Sequence, residues 1–444
     1  MINGSFIIKR DGQRVPHDPG RITSAISKAA ASIGGFGLEE AERLSAVVEQ
    51  RIAESYAGHT PTVEDVQDIV ESVLMENGHV RTARAYIIYR HKRAEMRAVQ
   101  RGAVEATDNI PYKRIYEVLR WNIEHHCESI EGINRIIEDG GYSDLVTACE
   151  ERYTNECRAA GHRVLEHGDD IRLIIVAGPS SSGKTTTTIK MEEQLASHGK
   201  KFKAINVDHY FFDLEKHPRD EFGDYDYETP QALDIDLINH HLEQLLAGKS
   251  VKTPHYDFHT GKRTLNVHEM QLADGEILLM DCLHGLYSDM TRSVPDNHKF
   301  RLYIETLGQL HNERDEFMRW ADHRLLRRMI RDSWSRSHDP LDTLTHWHYV
   351  RKSELQNIIP FIGNVDFLVN SAMPYEFPVL KEKLFHFFPV AMERYRSDLK
   401  RQDAYLRARR VLQFLEPLRT DVDDSCIPSN ALFREFIGGS VYAY

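Results

Sequence analysis

IRLIIVAGPSSSGKTTTT, residues 171–188, joins an apolar run to a turn rich in glycine and serine, followed by a row of threonines. The segment from Gly178 to Thr185 fits the pattern G-x-x-x-x-G-K-[ST]. The apolar run is typical of a buried strand, and TTTTIKMEEQLASHG is typical of a helix. Between a strand and a helix, such a turn lets backbone N–H groups surround phosphate oxygens at the positive end of the helix dipole. We therefore predict a phosphate-binding loop (P-loop); the alternative is an ordinary Gly/Ser turn.

The pattern assigns separate roles to its residues. Lys184 is expected to reach the β and γ phosphates of a bound nucleotide, and the hydroxyl of Thr185 is expected to bind Mg²⁺. The predicted ATP-binding residues are Gly178, Ser180, Ser181, Ser182, Gly183, Lys184, Thr185 and Thr186.

Length and apolar content limit the class of protein. A chain of 444 residues exceeds one ordinary core and predicts two or three domains. Apolar residues make up 41% of the chain, no stretch approaches the ~20 apolar residues of a membrane span, and MINGSFIIKRDG lacks a signal-peptide core. We expect a cytoplasmic protein without a membrane partner.

Charge and cysteine usage exclude other classes. The formal net charge of -12 argues against general nucleic-acid binding. The five cysteines are widely spaced, which predicts neither a disulfide framework nor a zinc site, and the 24 histidines show no HExxH spacing. We expect the five cysteines to be reduced thiols with structural roles.

Three segments differ in pattern. In residues 1–97, FIIKRDGQRV predicts two short strands around an Asp11-Gly12 turn. Asp18 is a predicted N-cap of a helix that runs to Gly34, and Thr62 opens a capping box. Residues 98–168 have helical periodicity and predict a connector. From residue 169 to 444, short apolar strands alternate with helices, which predicts an α/β fold with a mostly parallel sheet flanked by helices.

A candidate catalytic base follows the P-loop helix. The next predicted strand, FKAINVD, ends at Asp208. Ligands of doubly wound sheets bind at the carboxyl ends of the strands, so Asp208 should emerge beside the loop. A carboxylate there can accept a proton from a substrate hydroxyl, although an aspartate at a strand end is also a common turn residue.

The rest of the chain separates the classes of P-loop protein. No NKxD sequence follows, as a GTPase would require, and no LSGGQ-like transporter signature occurs. Six motifs instead resemble, in order and spacing, the uridine kinase and phosphoribulokinase group of kinases across residues 171–375: GPSSSGKT, VDHYFF, YETPQALD, TPHYDFHTGKR, LLMDCLHGLY and ADHRLLRRMIRD.

The resemblance implies ATP-dependent phosphorylation of a hydroxyl on a ribose-like small molecule. It implies that Asp208 is the general base and also contacts substrate, and that Asp281 acts on Mg²⁺ directly or through water. The remaining substrate-binding positions implied are Glu228, Tyr256, Arg263 and Arg324.

Four arginines share one predicted helix face. Arg324, Arg327, Arg328 and Arg331 recur at helical spacing. Such a row can close over phosphates and neutralise developing charge; the alternative is a solvated face paired with Asp322 and Asp332. The segment resembles the lid of the family, which implies catalytic roles for Arg324 and Arg328, in addition to that of Lys184 in the P-loop.

Four positions, in three motifs, depart from the pattern of uridine kinases. Phe211 stands where tyrosine is typical, Gly261 aligns with a histidine that helps hold the pyrimidine, and Asp281-Cys282 replaces Glu-Gly. The phosphate machinery is therefore better kept than the base-reading machinery, which makes uridine a weak expectation for the acceptor.

Each end of the chain carries a further resemblance. Residues 3–95 resemble an ATP-cone, which implies a regulatory adenine-nucleotide site with phosphate contacts from Lys9, Arg10 and Arg21. The hairpin KRDG taken alone is more typical of a solvated turn than of a nucleotide site. PSNALFREFIGGS resembles the tail of large bacterial uridine-kinase-like proteins, and docking on the kinase body is one use for it.

These observations predict an ATP- and Mg²⁺-dependent kinase with an ATP-cone, and we expect a homo-oligomer. Two alternatives stay open: a nonenzymatic nucleotide sensor, and a kinase that acts on a sugar phosphate or another metabolite.

Overall fold

The computed structural model describes residues 6–8, 14–56, 60–88, 90, 110–168, 170–219, 225, 228–258, 260–335 and 339–443. The chain divides into two compact units. One comprises Met1–Glu105 and Met392–Leu406, and the other comprises Ala106–Ala391 and Arg407–Tyr444.

The N-terminal unit pairs a small antiparallel ladder with helices. Strands β1 (Phe6–Ile8) and β2 (Arg14–Pro16) pair antiparallel. The helices are α1 (Pro19–Ala31), α2 (Leu38–Ser55) and α3 (Val63–Glu76), and residues 80–88 are also helical. The predicted strand pair is confirmed, whereas its Asp11-Gly12 turn lies outside the described residues.

The predicted helix starts in this unit are confirmed. The side chain of Asp18 accepts from the Gly20 N–H at 3.0 Å, and Thr62 and Asp65 form a reciprocal capping box. Helix α1 ends at Ala31 rather than at Gly34, because the chain leaves the helix through a turn in which Gly34 has a φ of 63°. The apolar faces of α1 to α3 bury one shared core around Ile26, Leu44 and Val70.

The larger unit contains most of the remaining regular elements among the described residues. Its strands are β3 (Leu173–Ala177), β4 (Lys201–Asn206), β5 (Val251–Asp257), β6 (Lys262–Met270), β7 (Glu276–Cys282), β8 (Lys299–Glu305) and β9 (Phe367–Asn370). Its helices are α4 (Tyr112–Glu124), α5 (Ile130–Glu138), α6 (Tyr142–Glu166), α7 (Lys184–Ser197), α8 (Ile235–Leu246), α9 (Trp320–Ser335), α10 (Pro340–Asn357), α11 (Glu376–Leu384) and α14 (Arg434–Ile437). Helices α12 (Phe387–Tyr395) and α13 (Gln402–Leu415) lie across the division between the units.

Five strands form one parallel sheet in the order β4-β7-β3-β8-β9. This confirms the predicted α/β fold. The central strand β3 is LIIVA and is buried along its whole length, as expected for a strand covered by helices on both faces. Because the strands are parallel, the carboxyl ends of β3, β4 and β7 share one edge of the sheet, and the P-loop leaves β3 at that edge. Strands β5 and β6 form a separate antiparallel hairpin.

All five cysteines are unpaired thiols, and four of them are buried. No helix among the described residues is long and apolar enough to cross a membrane.

Candidate active site at the P-loop

The backbone of the P-loop confirms the tight turn that its glycines predict. A Cβ on Gly178 would lie 2.4 Å from the carbonyl oxygen of Ile304, so no side chain fits there. Gly183 has a φ of 90°, in the left-handed region that glycine tolerates best. Ser181 also lies in this region, with a φ of 61°, which is uncommon outside glycine and typical of functional loops.

Helix α7 begins directly after the loop. Lys184, Thr185 and Thr186 are its first three residues, so their N–H groups have no acceptor in the preceding turn of the helix. Lys184 and Thr185 are partly exposed, while Thr186 is buried. The hydroxyls of Tyr153 on α6 and Thr187 are 2.7 Å apart and connect the two helices. The predicted strand, loop and helix are thus all present.

Two carboxylates lie at the same edge of the sheet. Asp281 is on β7, in register with Val176 of β3 and Asn206 of β4. Asp208 is exposed in a 3-10 turn, Val207–Tyr210, that follows β4. The side chain of Asn206 accepts from the Asp208 N–H at 3.0 Å and holds the start of this turn. Asp208 therefore emerges where the sequence predicts it.

The electrostatics of Asp281 connect the predicted site residues. Burial raises the pKa of Asp281 to about 6, although part of the side chain is open to solvent. Lys184 acts in the opposite direction and lowers this pKa, whereas the negative charges of Asp208 and Glu435 raise it further. These four side chains are therefore close enough to interact.

Sequence reasoning missed a buried histidine beside this group. His284 follows β7 and is 3% exposed. Burial lowers its pKa to about 3, and the neighbouring Lys184 lowers it as well, so the imidazole is neutral at physiological pH. Only its position shortly after an apolar strand could have marked it, and that signal is weak.

The arginine row of α9 packs directly against the P-loop. Arg324 donates to the Ser180 carbonyl oxygen at 3.1 Å, and Arg327 is 3.5 Å from the carbonyl oxygens of Ser181 and Ser182. Both arginines are fully buried. The helical spacing therefore predicted correctly that the arginines share one face of α9. The arginines differ in what they contact.

The two buried arginines are neutralised by carboxylates. Arg324 lies between Glu305, at 2.9 Å, and Glu354, at 2.9 Å. Burial favours a lower pKa for Arg324, but the two glutamates outweigh it and the pKa lies above its ordinary value. Arg327 pairs with Glu376 at 2.6 Å. Removing either partner would leave a buried charge uncompensated, so these pairs fix α9 against β8, α10 and α11.

Arg328 and Arg331 are the more accessible members, with side chains 17% and 18% exposed. Arg328 lies 3.3 Å from the Ser180 hydroxyl and 3.5 Å from Glu228. Arg331 lies 3.4 Å from the Ser181 hydroxyl. Asp332 pairs with Arg328 at 3.3 Å, but Asp332 is buried and not part of a solvated face, and Asp322 pairs with Arg410 instead.

The hairpin β5–β6 carries two of the predicted substrate-binding residues, Tyr256 and Arg263. Tyr256 is 2% exposed, and its ring centroid lies 5.6 Å from that of Phe211 and 4.9 Å from that of Phe258. Gly261 has a φ of 66°, and a Cβ there would lie 2.9 Å from the Leu214 side chain. A histidine at 261 would therefore be strained as well as crowded.

Arg263 is opposite Tyr256 in the hairpin. Its guanidinium donates to Asp234 at 2.8 Å, and its N–H donates to Asp213 at 2.9 Å. Both contacts connect the hairpin to neighbouring segments of the same unit.

A carboxylate of the C-terminal tail also lies in the site. Glu435 accepts hydrogen bonds from the N–H of Thr186 at 3.1 Å and from its hydroxyl at 2.7 Å. Only the resemblance of the tail drew attention to this segment, and it did not assign a role to Glu435.

The predicted regulatory residues belong to the other unit. Arg21 lies in the first turn of α1, with an exposed side chain 3.8 Å from Asp18. Lys9 and Arg10 lie outside the described residues.

The donors available for Mg²⁺ are few. In the described ranges, no three His, Cys, Asp or Glu side chains are grouped so as to hold a metal ion. The hydroxyl of Thr185 and the carboxylate of Asp281 are hard oxygen donors, and Mg²⁺ at nucleotide sites is commonly held by one or two protein groups together with phosphates. These two residues fit such an ion.

Two family models match segments of this chain. Residues 173–374 match the model of the phosphoribulokinase / uridine kinase family, and residues 5–95 match the ATP cone domain. Uridine kinase from Deinococcus deserti is 27% identical over 198 residues, which cover 44% of this chain and 86% of the relative. Uridine kinase from Brevibacillus brevis is 28% identical over 198 residues, which cover 44% and 83%.

A solved structure described as "a Possible Uridine Kinase from Bacillus stearothermophilus" is 15% identical, covering 45% of this chain and 89% of that chain, with a TM-score of 0.31. The family matches fall on the segments that contain the P-loop, Asp208, Asp281 and the arginine row. The chain therefore carries a P-loop kinase domain of the phosphoribulokinase / uridine kinase family, a phosphotransferase, together with an ATP-cone domain.

Proposed function

We propose that this protein transfers the γ-phosphoryl group of ATP to a hydroxyl of a nucleoside or another ribose-like small molecule. The observation that carries the proposal is the arrangement at the carboxyl edge of the sheet. Asp208 follows β4, Asp281 lies on β7, and Lys184 begins the helix that follows the P-loop. In that loop, a side chain at Gly178 or Gly183 would be crowded or strained. The kinase family of residues 173–374 supports the same chemistry.

In this proposal, Asp208 accepts the proton of the substrate hydroxyl, and the oxygen of that hydroxyl bonds to the γ-phosphorus. The bond to the bridging oxygen of the β-phosphate breaks, and ADP leaves. Lys184, Arg328 and Arg331 stabilise the negative charge that develops. Arg324 keeps its carboxylate partners and positions the P-loop through Ser180, which is a narrower role than the resemblance implies. Mg²⁺, held by Thr185 and Asp281, would neutralise phosphate charge.

Binding of the substrate that accepts the phosphoryl group is assigned to Glu228, Tyr256 and Arg263, which belong to the same unit. Glu228 is 14% exposed beside Arg328, and a carboxylate is well suited to hold sugar hydroxyls. A screen of nucleosides, sugars and sugar phosphates for acceptor-dependent ADP release tests the proposal directly. Absence of transfer to every acceptor by a folded protein that binds ATP would favour the nonenzymatic sensor.

We expect uridine and cytidine to be poor acceptors. Phe211 offers no hydroxyl and Gly261 leaves no room for a histidine, so the pocket lacks two hydrogen-bond partners for a pyrimidine. A pocket without such partners discriminates by only about 10²-fold or less between similar ligands. The measurement is kcat/KM for uridine, for cytidine and for the best acceptor of the screen.

A matched pair of variants sharpens this prediction. Phe211→Tyr restores a hydroxyl beside Tyr256 and should raise kcat/KM for uridine, whereas Phe258→Tyr adds one at a side chain that is 61% exposed and should not. Efficient and selective phosphorylation of uridine by the unaltered protein would show that other residues read the base.

We further propose that the ATP-cone binds an adenine nucleotide separately from the P-loop and regulates the kinase. Calorimetry on the intact chain should then count two adenine-nucleotide sites, one lost in Lys184→Ala and the other in Lys9→Ala/Arg10→Ala. Any coupling must be reciprocal, because each nucleotide changes the affinity for the other by the same factor.

Arg81→Ala, an exposed arginine of the helical residues 80–88, is the control for a general loss of positive charge in this unit. A single site that Lys184→Ala removes and the hairpin variant leaves untouched would make the ATP-cone a structural module.

Three broader expectations belong to the same proposal. The ATP-cone comprises residues 1–97, the connector residues 98–168 and the kinase domain residues 169–444. Location in the cytoplasm is supported by the free thiols, and a homo-oligomer stays a prediction.

A further inference from the structure

The C-terminal segment Ala431–Ile437 is packed into the phosphate-binding site. Leu432, Phe433 and Phe436 are fully buried, and Glu435 is 6% exposed. A Cβ on Gly183 would lie 2.6 Å from Cδ1 of Leu432, so this leucine lies directly on the bend of the P-loop. The segment is therefore part of the wall of the site.

Helix α9 anchors the same segment. The indole of Trp334 donates to the Phe436 carbonyl oxygen at 2.5 Å, and the Phe436 ring lies 4.9 Å from the guanidinium carbon of Arg327 and 5.8 Å from that of Arg331. The segment thus contacts both the loop and the arginine row that faces it.

Glu435 binds where the site is built to hold an anion. Its Oε2 accepts from the N–H and the hydroxyl of Thr186, the third residue of α7, and its Oε1 is 3.9 Å from Arg331. Orphan N–H groups in the first turn of a helix, at the positive end of its dipole, are the usual donors to phosphate oxygens. A carboxylate held by these donors and a guanidinium makes the contacts that a phosphate would make.

We propose that the C-terminal segment is an internal competitor of the nucleotide, with the Glu435 carboxylate occupying one phosphate position of the P-loop. ATP binds only after this carboxylate leaves Thr186, because the donors cannot serve both anions and the two negative charges repel. The inference rests on the proposed function and adds regulation of the same site: any partner or ligand that withdraws the segment raises ATP affinity.

The first test measures ATP affinity in the full chain by calorimetry, at the site that Lys184→Ala abolishes. Glu435→Gln keeps the volume of the side chain and removes its charge, and Glu435→Ala removes both. Since apparent affinity scales with the fraction of open protein, we expect both variants to bind ATP about tenfold more tightly or better. Glu382→Ala, an exposed glutamate of the same unit, should bind ATP as the unaltered chain does.

The second test uses the unaltered chain. In the closed state the Glu435 N–H donates to the Leu432 carbonyl oxygen and the Gly438 N–H donates to that of Arg434. Hydrogen exchange of these amides should accelerate when ATP is added, and Lys184→Ala should show no acceleration. This test remains informative if the Glu435 variants fold poorly.

The outcomes separate this inference from the proposed function. Unchanged or weaker ATP binding in folded Glu435→Gln, or increased protection of the segment by ATP, overturns the competitor role while transfer by the unaltered chain still supports the kinase. Failure of both the unaltered chain and Glu435→Gln to bind ATP overturns the two together.

Discussion

Replacing Lys184 with alanine is expected to lower phosphoryl transfer by about 10²–10³-fold while the fold persists. Lys184 is the first residue of α7, and its side chain is partly exposed in the loop rather than packed in the core. In the proposed mechanism, its ammonium stabilises the negative charge that grows in the transition state. The measurement is kcat at saturating acceptor, together with the unfolding midpoint of the variant.

Lys190→Ala is the matched control. It removes an ammonium from the same helix at a side chain that lies over the Tyr153 ring, 5.4 Å from its centroid. Turnover near that of the unaltered chain in Lys190→Ala and a large loss in Lys184→Ala would assign the effect to the phosphate site. Near-normal turnover in a folded Lys184→Ala variant would remove the lysine from the mechanism.

Asp208→Asn is expected to lower transfer by about 10²–10⁴-fold and to leave ATP affinity nearly unchanged. The amide keeps the shape of the carboxylate but cannot accept the proton of the acceptor hydroxyl. The turn itself should persist, because Asn206 caps it through the Asp208 N–H and not through the Asp208 side chain. Titration with ATP and single-turnover kinetics measure the two quantities separately.

Asp236→Asn serves as the control for Asp208→Asn, since Asp236 is an exposed carboxylate that pairs with Arg292 on the surface of the same unit. A loss of ATP binding as large as the loss of transfer in Asp208→Asn would make Asp208 a metal-binding or structural residue. Loss of transfer alone supports the general base.

The interaction between Lys184 and the Asp281 carboxylate also explains why Lys184→Ala and Asp208→Asn should differ in ATP affinity. Lys184 lowers the pKa of Asp281, which burial raises to about 6. Without the ammonium, Asp281 would hold a proton to higher pH, and its value as a ligand for Mg²⁺ would fall near neutrality. Lys184→Ala is therefore expected to weaken nucleotide binding as well as transfer. Asp208→Asn removes a negative charge near Asp281 and is not expected to weaken nucleotide binding.

Local sequence determined the parts of this protein that depend on backbone conformation. The P-loop required glycine at 178 and 183, and both positions exclude or strain a side chain. The caps at Asp18 and Thr62 join atoms only two or three residues apart, so their residue types sufficed to predict them. Alternation of apolar strands with helices predicted the parallel sheet for the same reason: it follows from short-range periodicity.

Tertiary structure alone decided how the site is neutralised and closed. Helical spacing predicted that the four arginines share a face, but Arg324 meets Glu354 and Arg327 meets Glu376 only because α10 and α11 pack against α9. Glu435 reaches Thr186 across 249 positions of the chain. Burial, ion pairing and occupancy of an anion site depend on which distant segments the folded sheet brings together, and no local pattern contains that information.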